Sequence, residues 1–267
     1  MQFTIFADVP GTGQVQLNGE AIDATYSVDS VTGNVTISAP SGSALSDTIL
    51  EFEAGDQVAL QLDRPGLNII IEERTGGSIS HMAGTVLFVS ASGNSEVLVI
   101  DPASYGYQYQ TFGAWFDGLN ANAGTVGAGS YGARSQASDI PAAGSTTATY
   151  NGFSIGTASV PGGTAYVTVS DLGVTTDFDT MTITSTNTGG FDIGPAAAGQ
   201  TPLPELDFTG SGAVAGIGFS APISGTTSAI SGAADGQFFG PGAAEVGGTF
   251  SATGGGINYL GAFGARR

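Results

Sequence analysis

The sequence predicts an all-β fold, on three observations. Apolar and polar residues alternate with a period of two in short runs, helical spacing of apolar residues is hard to find, and glycine-rich turn signals separate the runs. Of the 267 residues 44 are glycine, without a three-residue period, which excludes collagen. Hydrophobic residues make up 41%, too many for a disordered chain. The length suits one large or two modest domains.

Taken in order, Met1–Pro10 has no basic segment and no sustained apolar core, so it does not read as an intact secretory signal. Val35 and Ile37 alternate with Thr36 and Ser38 until Pro40 stops the run. Ser46–Ala54 reads either as a short helix capped by Ser46 or as a strand. Thr32-Gly33-Asn34, Gly76-Gly77 and Gly93-Asn94 read as turns. The apolar runs Val86–Val89 and Val97–Ile100 are far shorter than the ~20 residues of a spanning helix. One tryptophan and eight tyrosines are thin material for the two aromatic girdles of an outer-membrane barrel.

Composition shifts near residue 104, which divides the chain into a β domain over 1–104 and a glycine-richer one over 105–267. The second opens on the aromatics Tyr105, Tyr107, Tyr109, Phe112, Trp115 and Phe116. About eight strands fit between Tyr107 and Arg267, a number that closes into an antiparallel barrel filled by its own side chains. Among them, Val167–Ser170 and Thr180–Thr184 alternate clearly, whereas Gly189–Glu205, with three prolines, reads as a long surface loop. Phe239-Gly240-Pro241 reads as a strand ending in a turn. Gly247-Gly248 allows close backbone approach, and Phe250 and Phe263 are core anchors.

Twenty-three acidic residues against five arginines and no lysine give a net charge of −18. That leaves no basic footprint for nucleic acid or an anionic membrane. The absence of cysteine removes disulfides, thiolate metal sites and a cysteine nucleophile. The best carboxylate pairs are Asp177 with Asp179, on one face if the segment is a strand, and Glu72 with Glu73. Neither spacing establishes acid–base geometry. One histidine far from any nucleophile elbow gives weak support for serine hydrolysis, and Gly254–Gly256 does not join a strand to a helix as a nucleotide cradle would. No catalytic residue and no metal site are assigned. Arg64, Arg74 and Arg134 are candidate anion ligands that nothing in the sequence brings together. The Tyr105, Tyr107, Tyr109 and Trp115 group reads as packing ahead of a binding surface.

Gly236–Phe250 (GQFFGPGAAEVGGTF) and Gly261–Arg267 (GAFGARR) resemble the closing strands of the transferrin-binding protein B-like β-barrel family. Ile140-Pro141, Gly144 and Ala148–Gly152 resemble its third-strand motif, and Tyr109–Trp115 its first barrel strand. The resemblance implies a handle-like β domain followed by a closed eight-stranded barrel, in a non-enzymatic bacterial exported protein that captures a host protein, haem or another nutrient ligand. Many members are surface lipoproteins; a cysteine-free chain is expected to be of the freely secreted type, extracellular or at the cell surface without a cysteine-linked lipid. The haem-capturing members make His81, the only histidine, the candidate iron ligand, alone or with Met82. The alternative is a structural subunit of an extracellular coat, fibre or matrix that self-assembles.

Overall fold

The computed structural model describes residues 12–267 apart from 55, 83, 163 and 194–198. Met1–Pro10 and the middle of the expected Gly189–Glu205 loop thus lie outside the described residues. The all-β expectation holds: nineteen strands and a few short helical turns make up the described chain.

The first sheet is built from β1 (Thr12–Val28), β2 (Val35–Ile37), β3 (Ala44–Glu53), β4 (Asp56–Arg64), β5 (Leu67–Glu72), β6 (Ser78–Met82), β7 (Thr85–Val89) and β8 (Ser95–Ile100). A helical turn, α1 (Pro102–Tyr105), then leads to β9 (Gln110–Asp117) and β10 (Ala123–Gly132). Its antiparallel order is β5-β4-β3-β1-β10-β9-β8-β7-β6, with β2 paired to β1. The ends β5 and β6 approach through a backbone bond from Gly77 N to Glu72 O (2.9 Å), so the sheet curls nearly to closure. This ring adds nothing to the handle-like description. Ser46–Ala54, open between helix and strand in the sequence, is β3, because ten residues pair with β1 on one side and the same stretch pairs with β4 on the other. The glycines of the three expected turns adopt positive φ: Gly33 75°, Gly76 92° and Gly93 69°.

The second sheet comprises β11 (Ala148–Val160), β12 (Thr164–Thr176), β13 (Thr180–Asp192), β14 (Gln200–Pro202), β15 (Phe208–Ala215), β16 (Gly218–Gly225), β17 (Ser231–Phe239), β18 (Glu245–Gly254) and β19 (Ile257–Arg266). The order β12-β11-β19-β18-β17-β16-β15-β13 returns on itself where β12 pairs with β13, giving a closed eight-stranded antiparallel barrel with short β14 on its rim. The expected number of strands is therefore found, though between residues 148 and 266. The Tyr109–Trp115 stretch, read as a first barrel strand, is β9 and hydrogen-bonds within the first sheet. Composition shifts near residue 104, while the change of sheet comes after Gly132. The expected loop is also shorter at both ends: Gly189–Asp192 continue β13, and Leu203 and Leu206 are buried in the barrel core.

Three apolar cores result. One fills the first barrel around Leu50, Phe88 and Trp115, and another fills the second around Tyr150, Phe238, Phe250 and Phe263. A third lies between the barrels, where Ile22, Phe112, Val126 and Ala128 meet Ile155, Leu260 and Ala262. Strands β9, β10, β18 and β19 are accordingly buried on both faces over most of their length. Small residues make this close approach feasible. A Cβ on Gly264 would enter the Phe112 ring, and one on Gly247 would meet Gln110 Oε1.

Candidate functional site

The residues of the C-terminal motif form the joint between the barrels. Tyr107 OH donates to Gly264 O (2.7 Å), and Gln110 Nε2 donates to Val246 O (3.0 Å) and Ala265 O (3.2 Å). Glu245 is buried at the start of β18 and accepts from the backbone N–H groups of Gln108 (2.6 Å) and Tyr109 (3.2 Å). Burial pushes its carboxyl up to about 7, against the opposing pull of those N–H donors and of nearby Arg266. Sequence reading missed Glu245. Its signal was an acid inside an otherwise apolar and glycine motif. The joint is structural: it fixes the barrels and offers no open surface.

The singled-out residues divide. His81 is exposed on edge strand β6, and Met82, 48% exposed, is turned to the other face by strand alternation, so the two do not converge on one ligand. Asp177 and Asp179 stand in the β12–β13 turn. Asp177 Oδ1 accepts from the N–H groups of Asp179 (3.0 Å) and Thr180 (2.8 Å), which holds its carboxyl below the usual range. Positive φ at Phe178 (66°) turns the chain between them and tucks that ring into the core, so the two acids are not neighbours along a strand face. Glu72 pairs with Arg74 (2.6 Å), which also reaches Glu51 (3.0 Å). Tyr107, Tyr109 and Trp115 are buried and serve packing; Tyr105 is part-exposed, its ring 4.7 Å from that of Phe153. Arg64 and Arg134, unconnected in the sequence, line one groove; Arg74 lies elsewhere. No group of three His, Asp or Glu side chains suited to a metal occurs among the described residues.

The surface with features of a partner site is the loop-bearing end shared by both barrels. In the first barrel, Val28 N donates to Asn122 O (2.7 Å) and Asn120 Nδ2 to Ser92 O (3.0 Å), which ties three turns together. In the second, Thr227 Oγ1 donates to Pro204 O (2.8 Å) and Ser228 Oγ to Glu205 O (2.6 Å), while Leu203 and Leu206 plug the barrel mouth beneath. The bond from Asn258 Nδ2 to Ile37 O (2.8 Å) joins the two sets at one end of the molecule. The described turns at this end are tied by their own hydrogen bonds yet display apolar side chains. Val31 is 91% exposed on a turn fixed by Asp29 Oδ1, which accepts from Val31 N and Thr32 N (both 2.8 Å). Phe191 is 47% exposed near the rim end of β13.

Residues 140–267 match the family model described as the C-lobe and N-lobe β-barrels of transferrin-binding protein B. The match takes in every strand of the closed barrel, and the resemblance read from the C-terminal motif is thereby shown for that barrel. Similar solved structures include transferrin binding protein B from Haemophilus parasuis, with 12% identity over 95% of this chain and 76% of that one (TM-score 0.48). They also include the haemoglobin receptor HpuA from Kingella denitrificans, with 17% identity over 99% of this chain and 90% of that one (TM-score 0.43). A third is the N-lobe of lactoferrin binding protein B from Moraxella bovis, with 12% identity over 92% of this chain and 99% of that one (TM-score 0.41). No curated protein matches the chain.

Proposed function

From the match of its second barrel to the transferrin-binding protein B barrels, we propose that the chain is a non-enzymatic extracellular or surface binding protein that captures a host protein, haem or another nutrient ligand. The family match carries this reading. The loop-bearing end supports it, because exposed apolar side chains on a hydrogen-bonded platform suit a preorganised contact with a partner. Haem is one arm of the same reading: His81 stands exposed on an edge strand and offers a single imidazole, without Met82, to iron.

The test is a surface-binding assay on the intact chain with transferrin, lactoferrin and haemoglobin, and a haemin titration followed by absorbance. Saturable binding of one of the proteins, weakened about tenfold or more by Val31→Asp or Phe191→Asp, is the expected result. A Soret shift that disappears in His81→Ala would assign the haem arm. No binding to any of the four, with concentration-dependent self-assembly in light scattering, would replace this reading by that of a structural subunit.

A further inference from the structure

A groove of about 690 Å³ opens on the first barrel beside the linker to the second, lined by Asn18, Leu45, Asp47, Asp63, Arg64 and Arg134 among others. Its volume falls within the ~300–1,000 Å³ of small-ligand sites. Two of the five basic residues in the chain meet there. Arg64 is 9% exposed; its Nη1 is ion-paired to Asp23 Oδ2 (3.3 Å), and its Nε has no hydrogen-bond acceptor. Arg134 donates through Nη2 to Gly19 O (3.2 Å), and its buried Nε likewise has no acceptor. The two guanidinium groups give this part of the groove its hydrogen-bond donors and positive charge, which suit an acceptor-bearing ligand.

The same groove is also lined by groups of the reverse chemistry. Asp47 and Asp63 are directly opposed on β3 and β4, both exposed, with Asn18 opposite Asp47 on β1. Neither carboxylate has a hydrogen bond or ion pair among the described residues. Like charges facing each other across strands are destabilising, and a donor-bearing ligand relieves them. Beside them Leu45 lies 70% exposed.

We propose that this groove binds a neutral saccharide. A simple anion would meet Asp47 and Asp63 and the field of a −18 chain, and a simple cation would meet two guanidinium groups. A sugar hydroxyl accepts from arginine and donates to carboxylate at once, without net charge, and Leu45 offers an apolar contact for the C–H face of a ring. The site is distinct from the loop-bearing end, and its failure would leave the reading of that end standing.

The test is calorimetry and amide-shift NMR on the intact chain with maltotriose, cellotriose, mannotriose and chitotriose, alongside inorganic phosphate and lysine. Saturable binding of at least one trisaccharide is expected, weakened about tenfold by each of Asp47→Asn, Asp63→Asn and Arg134→Gln, as losing one hydrogen bond to a charged group implies. The two aspartate variants remove surface repulsion and keep the fold, so they remain informative if Arg134→Gln unfolds the linker. Val31→Asp should leave sugar binding unchanged. The proposal is overturned if none of the four sugars binds, if phosphate or lysine binds in their place, or if sugar binding survives both aspartate substitutions.

Discussion

Glu245 shows how a single residue can escape a sequence reading. Phe250 on the same strand and Phe263 on the next were legible as core anchors because large aromatics have one good place to be, and both are essentially fully buried. The burial of Glu245 depends on N–H groups from the Gln108–Tyr109 segment, more than a hundred residues upstream, and nothing local announces them. Its behaviour with pH follows from burial first, then from those donors and Arg266; Tyr107 is the other titratable group in its field. Its carboxyl titrates near 4.5 when free and about 7 when folded. Below 4.5 both states are protonated and the group adds nothing. Between the two values the folded state holds more protons, so stability falls as pH rises, by something on the order of 3 kcal/mol in all, and is then flat. Glu245→Gln keeps an acceptor for the backbone and cannot ionise. Urea unfolding at pH 5 and pH 8 should therefore show the variant gaining on the wild type at the higher pH. An equal difference at both values would mean that the carboxyl is not buried as described.

At the scale of strands, alternation was readable where one face is wet and silent where both are covered. Thr180–Thr184 alternates because β13 turns Met181 and Ile183 inward and Thr180 and Thr182 to solvent, whereas in Val167–Ser170 the polar Thr168 and Ser170 are the buried members, against the usual pattern. Strands β9, β10, β18 and β19 have no wet face to mark, and Tyr109–Trp115 could not reveal which sheet it joins because its partners are fixed by distant pairing. The wall formed by β11, β12 and β13 carries a feature that alternation does not report. Ser154, Ser170 and Ser185 form a chain of buried hydroxyls at 2.7 Å per step inside the second barrel. Burial beside this chain raises the Tyr259 phenol to about 12. Ser170 is the shared member, so Ser170→Ala removes two bonds and strands two hydroxyls, at a cost of about 1–3 kcal/mol. Ser185→Ala, at the end of the chain, should cost less. Chemical denaturation of the two variants checks the order, and equal losses would mean that the hydroxyls act singly. Between the barrels the limiting quantity is space. Gly264→Val drives a side chain into Phe112 and should lower the midpoint of unfolding markedly, whereas valine at Gly173, whose Cβ would meet only Thr184 Oγ1 at 4.0 Å, should be tolerated.

The whole molecule joins two barrels through a third apolar core, and that decides how it unfolds. The strand count of the second barrel was legible; the surface on which it docks was not, since each contributing strand reads merely as a glycine- and alanine-rich run. Phe112 sits at the centre of that surface, its ring 5.7 Å from Tyr107 and 5.1 Å from Phe153, and it is fully buried. Large apolar interfaces couple neighbouring units, whereas small polar ones leave them free to unfold separately. The chain is therefore expected to unfold as one cooperative unit. Its single tryptophan gives a clean test, because Trp115 lies in the core of the first barrel while far-ultraviolet dichroism reports the strands of both. The two signals should change together along a urea titration, and Phe88→Ala in the first core and Phe250→Ala in the second should move both by comparable amounts. Phe112→Ala opens the joint at a cost of about 3–5 kcal/mol and should separate the two signals. If they are already separate in the wild type, the third core does not bind the barrels into one unit, and docking at Phe112 is weaker than its burial implies.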